Sequence, residues 1–248
     1  MSAVIGNKKA QGPAPPAAGH AQAGGTQPLA IYVYEAPVRI WHWVTAICFF
    51  TLCITGYLIG APPPTIGGEA SGSFLFGWIR MIHFIAGQVF AAFFIMRLYW
   101  VAVGNEHARE VFLPSFHKAS YWKGLWEQQL YYLFLRKRPA KHVGHNPLAN
   151  TAMFFTCILP MMFMILSGFA LYAEGQGMDH WMYDLFGWVI PFFGGSFVVH
   201  TLHHIGMWII ITFACIHIYM VFREDIMGRT NILSSIGNGW RFMKDDEP

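Results

Sequence analysis

The chain has 248 residues, of which 55% are hydrophobic, 17% aromatic and only 12% charged, with a formal net charge of +3. Soluble proteins carry about 25% charged residues, so this composition excludes an ordinary soluble domain. The small positive balance sits in blocks rather than on a basic face, which excludes a nucleic-acid binder.

Residues 1–30 are rich in Ala, Gly, Pro and Gln, contain Lys8 and Lys9, and lack apolar periodicity. They are expected to form a disordered tail. No apolar segment follows those lysines closely enough for a signal peptide, which keeps this tail in the cytoplasm. Residues 31–240 then read as one membrane domain and 241–248 as a C-terminal tail. Within the domain, four apolar stretches are long enough to cross a bilayer, which takes about 20 helical residues. The first, 40–60, is uncharged, and the second, 78–103, carries charge only at Arg80 and Arg97, both placed to snorkel to the interfaces. The third is expected at 148–172 and the fourth at 197–222, preceded by a short segment broken at Pro191 and Gly194-Gly195. Cys48, Cys53, Cys157 and Cys215 lie in apolar runs without C-x-x-C or C-x-x-C-H spacing and read as buried thiols. That spacing argues against structural zinc, an iron–sulfur cluster and covalent haem attachment.

Charge in the loops sets the orientation. The connection after the first span holds only Glu69, and the one after the third holds Glu174, Asp179 and Asp184. The connection between the second and third spans holds Arg109, Lys118, Lys123, Arg136, Lys137, Arg138 and Lys141, and Arg223, Arg229, Arg241 and Lys244 follow the fourth. The positive-inside rule puts both termini and the middle loop in the cytoplasm. Within that loop, Trp122, Leu125, Trp126, Leu130, Tyr131 and Phe134 alternate with polar residues at helical spacing. They predict an interfacial helix on the cytoplasmic leaflet, with partner docking as the other use of such a face.

Ionisable residues inside membrane spans are rare and usually functional. His203 and His217 stand 14 residues apart in the fourth span, about 1400° of helical rotation, so they share nearly one face about 21 Å apart in depth. His83 lies near the periplasmic start of the second span and His42 at the cytoplasmic start of the first. Depth therefore pairs His83 with His203 and His42 with His217. Two imidazoles facing across a gap are the axial ligation of a low-spin electron-transfer haem, whereas zinc gathers three or four ligands at one point. The pattern predicts two haem b. His200 and His204 are turned from His217 by about 100° and about 140° and read as neighbours of a haem or of its propionates rather than as ligands. Arg39 and Arg80, three residues before His42 and His83, fit either propionate pairing or anchoring at the interface. Gly56, Gly87, Gly168 and Gly206 suit close approach of a macrocycle or of another helix. Met161, Met162 and Met164 are expected to fill core space.

Several stretches together resemble the b-type cytochrome subunit of membrane-bound nickel–iron uptake hydrogenases. They are YEAPVRIWHW at 34–43, GWIRMIHFIAG at 77–87, GHNPLA at 144–149, SGFALY at 167–172, HTLHHIGMW at 200–208 and HIYMVFREDIM at 217–227. The resemblance runs from Tyr32 to about Trp240. It implies an all-α, integral membrane four-helix bundle in the bacterial inner membrane that binds two b haems. It also implies partners: a hydrogenase small subunit, with a transmembrane anchor and iron–sulfur clusters, and a large nickel–iron subunit. Electrons from hydrogen would reach the haem on His83 and His203, then the one on His42 and His217, and then membrane quinone. His204 stands where some relatives have arginine. A quinone pocket on the cytoplasmic side would draw on His145, Asn146, Glu224 and Asp225, although helix capping and interface charge account for the last three equally well. The start of the motif, E-x-P-x-R-x-x-H-W, is shared with formate dehydrogenase cytochromes, which leaves that complex as an alternative. A proton-coupled transporter is a further one, although the histidines sit near the membrane faces and no repeat is visible.

Overall fold

The computed structural model describes residues 29–64, 73–136, 145–227 and 231–243. Most of the expected N-terminal tail, the last five residues, and the charges at Glu69, Lys137, Arg138, Lys141 and Arg229 lie outside these residues.

Four long helical spans dominate. Helix α1 covers Ala36–Gly60, with Pro37 in its first turn, where a missing N–H breaks no intrahelical bond. Helix α2 covers Leu75–Val103. The third span is composite: α5 (Pro147–Met153), a π-helical turn (Phe154–Ile158) and α6 (Leu159–Gln176). Pro160 accounts for the break, because proline lacks the N–H of a regular helix and its ring crowds the carbonyl four residues back. Helix α9 covers Ser196–Met227. Each span exceeds its expected bounds by a few residues at one end or both, except at Gly60 and Val103, where α1 and α2 end as expected. The shortest, at 25 residues, rises about 37 Å, enough for a hydrocarbon core of about 30 Å.

The outer faces are apolar. Along α1, Ile40, Trp43, Ile47, Phe50, Ile54 and Tyr57 form a stripe in which every side chain is at least half exposed. A contiguous apolar surface of this kind suits lipid and not water. With four helices long and apolar enough to cross a bilayer, the chain is a multi-pass membrane protein. Cys48 and Cys157 are buried as expected, but Cys53 is half-buried and Cys215 is exposed.

Helix α1 lies along α2 and α6 along α9, while the two pairs touch each other sparingly. One core cluster joins Cys48, Phe90, Phe94, Phe112, Cys157, Ile158, Met161 and Ile210. At the other end a smaller cluster of Ala170, Val189, Ile190 and Val199 seats two short helices, α7 (Trp181–Phe186) and α8 (Val189–Phe192). Gly194 and Gly195, at φ 96° and 117°, then turn the chain into α9.

The two ends of the described residues meet. Strand β1 (Leu29–Tyr32) pairs antiparallel with β2 (Trp240–Met243), Leu29 opposite Met243 and Tyr32 opposite Trp240. Leu29, Ala30 and Arg241 to Met243, assigned from sequence to the two tails, thus belong to a strand pair. Helix α10 (Ile232–Asn238) leads into β2 through Gly239. That glycine has φ 89°, and a Cβ there would lie 2.6 Å from the Tyr34 carbonyl oxygen. Its own carbonyl accepts from the N–H groups of Val33 and Tyr34.

The same end is fastened further by Glu35. Its carboxylate accepts from Trp100 Nε1 and from the Asn105 backbone N–H, both at 2.9 Å. Asn105 caps the short helix α3 (Glu106–Glu110) by accepting from the Ala108 N–H. Helix α4 (Ala119–Tyr132) presents Trp122 and Trp126 outward and buries Tyr121 and Gln128. The Tyr121 hydroxyl donates to the Pro147 carbonyl and so ties α4 to α5.

Arg97 departs from expectation. It does not snorkel: it is 2% exposed, with its guanidinium 5.3 Å from the Trp41 ring and 4.8 Å from the Phe112 ring. Its Nη2 donates to the Ala108 carbonyl at 2.6 Å. Aromatic faces and a carbonyl replace water around this cation, which makes it a clamp between α1, α2 and α3. Arg80 is exposed and lies over Phe84.

Candidate functional site

The four span histidines come together in two pairs, each bridging the two helix pairs. His42 on α1 faces His217 on α9, ring centres 6.5 Å apart and planes at 49°. Two imidazoles bound to one metal through Nε2 at about 2 Å each have centres roughly 6 Å apart, so this spacing fits a shared iron. His83 on α2 lies within electrostatic reach of His203 on α9.

The surroundings of the second pair are specific. The Thr55 hydroxyl stands 2.9 Å from His83 Nδ1, and the Ser167 hydroxyl 2.7 Å from His203 Nδ1. A Cβ on Gly56 would come within 3.2 Å of His83 Cε1, and one on Gly168 within 3.3 Å of His203 Cε1. These two glycines therefore make room for the rings. Gly206 admits Met164 instead, and Gly87 meets only Leu52, at an ordinary 3.9 Å. At the first pair, His42 Nδ1 is buried with no hydrogen-bond partner among the described residues. The His217 ring stacks on Phe213 at 5.3 Å. The donor set, nitrogens from opposite helices at two depths, fits two bis-imidazole haems.

The remaining candidates have the following partners among the described residues. His204 accepts from Trp208 Nε1 on Nε2 at 3.2 Å, which occupies the nitrogen that a metal would need. His200 is exposed, with Nδ1 3.0 Å from the Ser196 carbonyl. Arg39 donates to the Gly237 carbonyl, and its buried Nε meets no partner among the described residues. Asn146 caps α5 by accepting from the Ala149 N–H. Glu224 accepts from Tyr132 and Arg223, and Asp225 from the Leu233 N–H. His145 lies within electrostatic reach of His217.

Sequence reasoning passed over the acid–base cluster around His145. Glu110 accepts from His107 Nδ1 at 2.7 Å and from the His145 backbone N–H at 3.0 Å, with the His145 ring nitrogen 3.6 Å away. Tyr34 lies 3.4 Å from the other ring nitrogen of His145, and burial pushes its hydroxyl up to about 12. Burial pushes the Glu110 carboxyl up too, but the bonds from His107 and His145 outweigh it and hold the group at about 2, below 4.5. The bond to Glu110 in turn raises His107 above 6.5. A lowered carboxyl contributes its full stability above pH 4.5 and loses it as pH falls toward 2. A raised imidazole contributes fully below pH 6.5 and loses its share as pH climbs through the folded value. The contact is thus strongest between pH 4.5 and 6.5. Glu110→Gln is expected to flatten the thermal stability profile of the detergent-solubilised chain on both sides of that window; an unchanged profile would remove the contact from the account.

Residues 33–239 match the family model described as prokaryotic cytochrome b561. A protein of Azotobacter vinelandii named a probable Ni/Fe-hydrogenase B-type cytochrome subunit is 53% identical over 219 residues, 88% of this chain and 91% of its own. One of Cupriavidus necator with the same name is 50% identical over 226 residues, 91% of this chain and 92% of its own. The Escherichia coli K12 protein named a probable Ni/Fe-hydrogenase 1 B-type cytochrome subunit is 46% identical over 217 residues, 86% of this chain and 91% of its own. With the match spanning all four membrane helices and both histidine pairs, the chain belongs to the prokaryotic cytochrome b561 family.

Proposed function

We infer that the chain is the di-haem membrane subunit of a nickel–iron hydrogenase and carries electrons from the enzyme's iron–sulfur clusters to quinone in the bacterial inner membrane. The observation that carries this reading is the facing of His42 and His217 at 6.5 Å across the gap between the two helix pairs. The second pair, His83 and His203, stands at another depth. Bound at these pairs, b-type haem would supply one-electron redox chemistry with both axial positions filled. The chain itself supplies the imidazoles, the glycine clearances over His83 and His203, and apolar walls that keep water out.

The relatives' names support a hydrogenase partner. Its small subunit would dock through a transmembrane helix, with the large nickel–iron subunit on the periplasmic side. The concentration of Lys and Arg in the middle loop and C-terminal segment supports placing both termini in the cytoplasm. Exposed Trp122 and Trp126 support α4 as a helix lying at the cytoplasmic interface. Quinone reduction then belongs to the His42–His217 end. Of His145, Asn146, Glu224 and Asp225, His145 would exchange protons there; its approach to Glu110 and its electrostatic reach to His217 support that role.

The test is purification of the tagged chain from its native membrane. The expected result is about two b haems per chain, co-purification of a nickel–iron subunit, and reduction of added quinone under hydrogen. A haem-free chain would overturn the cytochrome reading, and a haem-loaded chain accompanied by another dehydrogenase would overturn the hydrogenase one.

A further inference from the structure

The two histidine pairs are not equivalent, and the difference lies in hydroxyl groups that belong to neither pair. Thr55, on α1, is 7% exposed and Ser167, on α6, is 0% exposed. A hydroxyl carries one proton. Thr55 commits its proton to the Thr51 carbonyl at 2.7 Å, and Ser167 commits its own to the Phe163 carbonyl at 2.7 Å. Each oxygen can then only accept from the histidine beside it. His83 and His203 are therefore both held in the tautomer with the proton on Nδ1, and each presents the Nε2 lone pair. At the other pair, His42 Nδ1 meets no partner among the described residues, and His217 rests on an aromatic face.

We propose that Thr55 and Ser167 are positioning residues that fix the rings of His83 and His203 and lower the redox potential of the haem held between them relative to the one at His42 and His217. The proposal rests on the di-haem reading above. Its physical basis is that a hydrogen bond accepted from the far nitrogen makes an imidazole a stronger donor to iron. A stronger donor favours the ferric state, and hydrogen bonding near the iron is one of the levers a protein has on potential. With hydroxyls bonded to the imidazoles of one pair only, among the described residues, an electron arriving at the His83–His203 pair is biased toward the His42–His217 pair. The direction is built into two side chains that act through the imidazoles they bond.

The experiment is a redox titration of the intact, haem-loaded chain, followed by b-band absorbance and by the low-spin ferric resonance of each haem. The His217→Ala variant assigns the signals, because it retains the His83–His203 pair. In the parent chain, the lower midpoint is expected to belong to that pair. Thr55→Val and Ser167→Ala are each expected to raise that midpoint and shift that resonance while the other haem stays where it was. Thr55→Ser, which restores the hydroxyl, is expected to titrate as the parent does. The two substitutions act on different histidines of one pair, so either alone carries the test. Unchanged midpoints and resonances in both variants, or a shift confined to the other haem, would overturn the proposal. Absence of b haem from the parent would instead overturn the di-haem reading, before any variant is titrated.

Discussion

If the chain holds a b haem at each histidine pair, as proposed, His83→Ala and His217→Ala are each expected to lose one haem and to keep the other. Each variant removes half of one axial set. A haem at that pair would then keep one imidazole, and water would be a weaker second ligand than the lost nitrogen. The pairs are separated on α9 by the 14 residues between His203 and His217, about 21 Å of helix, far enough for losses at one to leave the other intact. Pyridine haemochrome quantitation beside dithionite-reduced minus oxidised spectra reads the outcome directly. His204→Ala is the control. Its Nε2 accepts from Trp208, so both haems should remain. Full haem content in His83→Ala or His217→Ala would reject that residue as a ligand, and loss of both haems from one variant would reject the independence of the pairs.

Arg97→Ala is expected to be the most damaging substitution outside the histidines, lowering stability by roughly 3–5 kcal/mol. The side chain is 2% exposed and fills the space between Trp41 and Phe112. Truncation removes two cation–π contacts and the bond to the Ala108 carbonyl, opens a cavity, and leaves Glu35 without a positive charge that it now feels. Arg97→Met, which keeps most of the volume and can rest its sulfur against the rings, should recover part of the loss. Arg97→Lys should recover less than its charge suggests, since an ammonium cannot lie flat between two rings as a guanidinium does. The midpoint of unfolding in mixed detergent–SDS micelles orders the three. Because Trp41 adjoins His42, any haem held by His42 and His217 should be disturbed first in the damaged variant. An Arg97→Ala chain as stable as the parent would make the residue an interface anchor after all.

The contrast between His42 and Arg97 shows what a sequence can carry. Depth and rotation along a helix are fixed by residue number alone, so the pairing of His42 with His217 follows from arithmetic on the chain, and their rings do face each other. Arg97 stands near a helix end, where snorkelling is the usual fate of a charge. Its burial depends on Trp41 and Phe112, and their arrival is a property of tertiary packing. Thr55 and Ser167 were passed over for the same reason: either could be an ordinary helical residue bonding the carbonyl four back, and the histidines they serve lie 28 and 36 positions away. The capping role of Asn146 was legible because Asn before Pro is a local signal. The partners of Glu224 and Asp225, apart from the adjacent Arg223, come from α4 and from the segment around α10, which no local signal announces.

The pairing of β1 with β2 constrains biogenesis. Two segments that share a ladder of hydrogen bonds must lie on one side of the bilayer, so the chain between them crosses an even number of times, whichever side that is. Roughly 200 residues separate the strands, and β1 leaves the ribosome long before its partner exists. The ladder can therefore close only once the fourth span is threaded. A chain stalled after three crossings would strand β2 on the wrong side and leave the edge of β1 unpaired.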